Sequence, residues 1–120
     1  MSRRGFTLIE LIMVIVILGL LMVVAIPKYF DLQNDAKTAS EKGVVGGVRS
    51  GVYTYYAKYK TFPTGLDALA ANTTCSATNA CFDTVLVNGV TADWTKATSN
   101  TYTGPTNTTY TYTASTGEFK

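Results

Sequence analysis

Between Leu11 and Ile26 every side chain is apolar or glycine, and Pro27 stands directly after that run. A helix from Phe6 to Ile26, rising about 1.5 Å per residue, covers roughly 30 Å, which matches the hydrocarbon core of a bilayer. The segment is therefore long enough to span a membrane. Arg3 and Arg4 lie just before it, so the positive-inside bias keeps the N-terminus cytoplasmic and sends the remainder outward. An ordinary secretory signal peptide has a shorter apolar core and a small-residue cleavage site. Val24-Ala25-Ile26-Pro27 is a poor version of that site, with proline badly placed. A simple membrane anchor accounts for the length but gives no reason for Glu10, a carboxylate of a kind that costs a few kcal/mol at the centre of a membrane helix.

The stretch Arg4-Gly-Phe-Thr-Leu-Ile-Glu10 resembles the N-terminus of the type IV pilins and type II secretion pseudopilins, whose leader ends in Gly and whose mature chain begins with Phe and carries Glu as its fifth residue. The resemblance implies that a prepilin peptidase cuts between Gly5 and Phe6 and that the Phe6 amine is then methylated, with the apolar helix retained. An α-amine has an unperturbed pKa near 7.7 to 8.0, so the new terminus is largely cationic and needs a counter-charge in apolar surroundings. By the same resemblance, Glu10 of one subunit neutralises the Phe6 amine of a neighbour and sets axial register. Further partners implied are an inner-membrane assembly platform and a cytoplasmic ATPase. The chain would sit as a single-pass inner-membrane protein before assembly, then in an extracellular pilus or a periplasmic pseudopilus.

The precursor has 120 residues and a formal charge of +2; removing Arg3 and Arg4 with the leader brings the side chains to neutrality. Neither value calls for a nucleic-acid partner. Lys28, Lys37, Lys42, Arg49, Lys58 and Lys60 fall on the helical half, whereas Asp67, Asp83, Asp93 and Glu118 outnumber Lys96 and Lys120 beyond it. This separation suits lateral packing between copies, and equally a solvated helix face. Histidine is absent, which removes the commonest general base and zinc ligand. No motif places a base beside the many Ser and Thr hydroxyls, so the chain reads as a non-enzyme without cofactor or metal. Cys75 and Cys81 are the only cysteines. In an exported chain, such an even, closely spaced pair is most simply a disulfide contributing about 2 kcal/mol, and a metal site would need two further ligands that the neighbourhood lacks.

The expected fold is α+β: a long N-terminal α-helix, membrane-spanning in its first half and amphipathic in its second, packed against a small antiparallel β-sheet of three to four strands. The expected divisions are a leader at 1–5, a membrane and filament-core helix at 6–27, an amphipathic helix at 28–60 and a globular β domain with a helix-to-sheet loop at 61–120. Pro27 deletes one helical hydrogen bond without having to end the helix. By resemblance, the stretch from Gly19 to Pro27 is where such helices unwind in a filament; close approach at Gly19 in the membrane explains that glycine equally well. From Ala36 to Tyr59, Val45, Val48, Val52, Tyr55, Tyr56 and Tyr59 form one apolar stripe, opposite a column of small residues that includes Gly43, Gly47 and Gly51. The stripe is expected to carry the globular domain, and the column to allow close helix approach between subunits. Electron transfer along the tyrosines is a less economical reading than packing.

Phe62 to Leu69 predicts a short amphipathic helical turn. Phe82 to Val87 and Val90 to Thr95 alternate about Asn88-Gly89, a strong hairpin signal. Lys96 to Asn107 reads as turns, Thr109 to Ala114 as a strand and Glu118 to Lys120 as a short one. Trp94, Tyr110 and Tyr112 are expected to face the helix while threonines face solvent.

The leading function is a structural subunit, a type IV pilin polymerising through its apolar helix for adhesion, motility or related surface roles. The alternative is a type II secretion pseudopilin. Asp83 and Asp93 alone make a weak case for the calcium ligands of the major pseudopilin. A DNA-binding competence pilin would want a basic distal surface, and a membrane-anchored binding module would leave the Gly-Phe-Thr-Leu-Ile-Glu motif unexplained.

Overall fold

A computed structural model describes residues 5–120, so most of the expected leader, with Arg3 and Arg4, lies outside the described residues. One helix, α1, runs from Leu8 to Tyr59 with Pro27 inside it. The chain divides into two compact units, the first ending at Asp35 and the second running from Ala36 to Lys120. In the first unit every described residue is exposed, including Leu8, Val14, Leu21 and Ile26 around the full circumference of α1. A helix apolar on all sides needs lipid or protein around it. It is the one described helix long and apolar enough to cross a membrane.

In the second unit α1 buries Glu41, Val45, Val48 and Val52, whose four- and three-residue spacing makes a single stripe along the helix. These valines join Leu66, Phe82, Trp94, Tyr102, Tyr112 and Phe119 in one core. The stripe stops sooner than the sequence pattern implies: Tyr55 is half-buried, while Tyr56 and Tyr59 are exposed. Phe62 stacks on Tyr56, with ring centroids 4.6 Å apart. Lys60, at φ 61°, ends the helix by returning its N–H to the Tyr56 carbonyl at 2.7 Å.

Five short strands follow: β1 Thr73–Thr74, β2 Thr95–Lys96, β3 Thr101–Thr103, β4 Thr109–Thr113 and β5 Glu118–Phe119. They form one antiparallel sheet in chain order. Lys96 lies opposite Tyr102, Tyr102 opposite Tyr110, and Tyr112 opposite Phe119. Because side chains alternate across a strand, this register gathers the long residues on one face and leaves Thr109, Thr111 and Thr113 exposed on the other. The α+β architecture stands, with one strand more than the highest number expected. Arg49 Nε also donates to the Phe119 carbonyl at 2.8 Å, tying β5 to α1.

Three local expectations fail. Phe82 to Val87 is not a strand: Phe82 adopts φ 61°, and the N–H groups of Val85 and Leu86 return to its carbonyl, so the backbone curls on itself. Only an isolated bridge, Cys81 to Val90, survives of the hairpin, with Gly89 at φ +63° in its turn. The segment Phe62–Leu69 holds no helical turn because Asp67 Oδ1 accepts the Leu69 N–H at 3.1 Å, an alternative to helical bonding. Lys96 to Asn107 contains β3, and its Tyr102 is wholly buried. The small-residue column is also partly occupied from within. A Cβ at Gly51 would run into the Val85 carbonyl, and one at Gly47 would touch Leu86, whereas Gly43 and Gly46 face open space.

Candidate assembly segment and the polar anchors of the globular unit

Gly5, Phe6 and Thr7 precede α1 in non-helical backbone, and Phe6 is 87% exposed. The peptide joining Gly5 to Phe6 is thus outside any helical hydrogen-bond ladder. Two residues later the chain makes a capping box. Thr7 N–H donates to Glu10 Oε2 at 3.1 Å, and Glu10 N–H donates to Thr7 Oγ1 at 3.3 Å. The first helical bond, Leu11 N–H to the Thr7 carbonyl, follows at 3.2 Å. Helix N-termini leave N–H groups without helical partners, and a Thr-x-x-Glu pair satisfies two of them reciprocally. The carboxylate also faces the positive end of the helix dipole.

Glu10 occupies the third position of α1, directly before the apolar run that begins at Leu11, and has a polar partner in its own chain. The partner, Thr7, is legible in the sequence as Thr-x-x-Glu before an apolar run. Gly19 has nothing within 4 Å of a built Cβ, and α1 passes through both Gly19 and Pro27 without a break.

Two buried polar anchors in the globular unit were not singled out by sequence reasoning. Glu41 on α1 is 4% exposed. Its Oε2 accepts the Thr106 N–H at 2.9 Å and the Thr106 hydroxyl at 2.6 Å, while Oε1 accepts the Tyr110 hydroxyl at 2.6 Å. Gly104 is packed so closely that an added Cβ would lie 2.6 Å from Glu41 Oε2. Burial raises the carboxyl pKa, but the hydrogen bonds from Thr106, Tyr110 and Thr108 outweigh it and leave Glu41 below its ordinary value. The Tyr110 hydroxyl is raised, first by donating to Glu41 and then by burial and that residue's charge, with Arg49 opposing. Glu41 continues the Val45, Val48, Val52 spacing back by one turn, a signal that would have found it.

The second anchor is Asp67, in the loop between α1 and the sheet, whose side chain is fully enclosed. Oδ1 accepts from Lys96 Nζ at 2.6 Å and from the Leu69 N–H; Oδ2 accepts the Tyr102 hydroxyl at 2.8 Å and the Phe82 N–H at 3.1 Å. Burial, then the hydrogen bond to Asp67, pushes the Tyr102 hydroxyl far above its ordinary range, keeping it a donor. Burial likewise raises Tyr112, which donates to the Pro63 carbonyl at 2.6 Å. Cys75 and Cys81 are disulfide-bonded with Cα atoms 5.4 Å apart, and within that ring Ser76 and Asn79 exchange backbone hydrogen bonds. Among the described residues no three His, Cys, Asp or Glu side chains gather into a metal-binding group, Asp83 and Asp93 included.

Residues 1–26 match the family model described as the prokaryotic N-terminal methylation motif. The chain is 40% identical over 72 residues to the type IV narrow pilus major component PilA5 of Thermus thermophilus, covering 60% of this chain and 61% of the relative. It is 36% identical over 61 residues to the fimbrial protein EcpC of Eikenella corrodens, covering 51% and 40% of the two chains. It is 39% identical over 61 residues to the type IV major pilin protein PilE1 of Neisseria gonorrhoeae, covering 51% and 37%. The matched region thus spans less than two thirds of each of these relatives. No solved structure matches the chain.

Proposed function

For a chain that carries the N-terminal signature of the type IV pilin superfamily, we propose the role of a structural subunit that polymerises through α1 into a helical extracellular filament. The observation that carries this reading is the length of the similarity. It reaches 72 residues in PilA5, well past the methylation motif at residues 1–26, and therefore includes helix that a processing signal alone would not require. The relatives named above are pilus or fimbrial proteins, which favours a surface filament over a periplasmic pseudopilus.

In this proposal a prepilin peptidase cuts between Gly5 and Phe6, and the Phe6 amine is methylated. The cut spares the capping box, since Thr7 N–H and Glu10 both remain in the mature chain. Residues 6–27 hold the subunit in the inner membrane and later form the filament core. Residues 28–60 continue the helix and residues 61–120 form the outer domain, with Cys75 and Cys81 closing a small ring there. Glu10 meets the cationic Phe6 amine of a neighbouring subunit, two groups poorly solvated in an apolar core cancelling one another. Gly19 and Pro27 are the points where α1 yields on packing. An inner-membrane platform and a cytoplasmic ATPase drive assembly, with neither nucleic acid nor cofactor bound.

The test is electron microscopy of filaments sheared from cells, with N-terminal sequencing of their subunit. Filaments made of this chain, starting at methylated Phe6, are the expected result. A chain starting at Met1 that stays monomeric in the membrane would point instead to an anchored module.

A further inference from the structure

The globular unit is small, and its strands are two to five residues long. Lys96 Nζ lies 2.6 Å from Asp67 Oδ1, with the two side chains 4% and 0% exposed. The carboxylate is asymmetrically dressed. Oδ1 faces the ammonium, whereas Oδ2 takes hydrogen bonds from the Tyr102 hydroxyl and the Phe82 N–H. Pairing of β2 with β3 fixes Lys96 opposite Tyr102, and the Leu69 N–H holds Asp67 from its own loop. As an ion pair alone, such a buried couple recovers little beyond its desolvation.

We propose that Lys96 and Asp67 condense into an intramolecular isopeptide bond. A proton passes from the ammonium to Oδ1, and the neutral amine then attacks Cγ. The carbonyl electron pair moves onto Oδ2, where the Tyr102 hydroxyl and the Phe82 N–H act as an oxyanion hole. Collapse breaks the bond from Cγ to Oδ1, which takes a second proton from Nζ and leaves as water. One C–N bond forms, one C–O bond breaks, and no oxidant, reductant or cofactor is consumed. The water can leave through a cleft of about 570 Å³ that both Asp67 and Lys96 line. Holding amine and carboxyl in contact makes the condensation intramolecular, and the burial of both side chains limits their access to bulk water. The amide would close residues 67–96 into a ring around the smaller disulfide ring of Cys75 and Cys81.

Mass spectrometry of the full chain, denatured and with its disulfide reduced, tests this independently of filament formation. Wild-type protein is expected one water lighter than the Lys96→Arg variant after correction for the substitution. Its digest should contain a branched peptide joined through Asp67 and Lys96. Wild type at full mass with no branched peptide would overturn the proposal, leaving an ion pair only. A water loss that persists in Lys96→Arg would also overturn it, marking a succinimide at Asp67. Should Lys96→Arg fail to fold, the branched peptide in wild-type digests decides alone.

Discussion

Thr7 and Glu10 exchange hydrogen bonds across the first turn of α1, each backbone N–H meeting the other's side-chain oxygen. The acid that the proposed filament pairs with a neighbouring subunit thus has a partner in its own chain, and the proposed contact can be separated from the observed one by substitution.

Glu10→Gln preserves a group able to complete the capping box but removes the charge, whereas Glu10→Leu removes both. Membrane insertion and leader processing are expected to persist in each. If charge neutralisation between subunits drives assembly, both variants lose filaments, scored by shearing and immunoblot. Filaments from Gln but not Leu would instead make the cap the essential contribution. Thr7→Ala should cost about 0.5–2 kcal/mol of helix-end stability, visible as faster amide exchange over the first turn of α1.

Glu41 holds the loop around Thr106 and strand β4 to the helix. Glu41→Ala removes the acceptor shared by the half-buried Tyr110 hydroxyl and two Thr106 donors, so a destabilisation of about 1–3 kcal/mol is expected. Tyr110→Phe removes one hydrogen bond from the same carboxylate and should cost about 1–2 kcal/mol. Thermal melts of the two single variants and the double variant would measure their coupling, with a strongly non-additive result expected for groups in direct contact.

Acid should weaken the same anchor. The folded pKa of Glu41 lies below its ordinary value of 4.5, so the native state favours the carboxylate. Its contribution is fully present above about pH 4.5 and is lost as pH falls through the folded pKa. The melting-temperature gap between wild type and Glu41→Gln should therefore narrow on acidification below pH 4.5. At the other extreme, Tyr102, Tyr110 and Tyr112 are raised above their ordinary value of 10.0. Their contribution is complete below pH 10 and is lost as pH climbs towards the folded values, so alkaline melts should fall from that point.

Gly43 and Gly51 lie on the same helix yet should respond oppositely to alanine. Gly43 opens onto empty space, and Gly43→Ala is expected to stabilise the unassembled subunit by about 1 kcal/mol through helix propensity. At Gly51 an added Cβ meets the Val85 carbonyl, so Gly51→Ala must displace backbone and should lower the melting temperature. Equal responses would show that the segment around Val85 does not rest on the helix.

The parts legible in the sequence are those set by local rules. Apolar residues from Leu11 to Ile26, the Thr-x-x-Glu start and the Val45, Val48, Val52 spacing all read directly as one helix. The sheet was harder because its strands are too short for alternation to dominate. Phe82 to Val87 alternates as well as any strand, yet the hydrogen bond from Phe82 to Asp67 and the adjoining disulfide impose a turn. Tyr102 sits in a run rich in Thr, Ser, Asn and Gly that reads as loop, and only its partners Lys96 and Tyr110 make it a core strand. Asp67 and Glu41 pass for surface charges until the donors converging on them from distant sequence are seen.

The ring closed by Cys75 and Cys81 has a practical reach beyond folding. Ala77 and Thr78 at its tip are exposed, and the cystine fixes the flanks independently of what the tip contains. A foreign epitope spliced between those two residues would replace the turn closed by the Ser76 and Asn79 backbone hydrogen bonds while the disulfide still holds its ends. On the proposed filament it would be repeated along the whole fibre, which would make the protein a scaffold for dense antigen display.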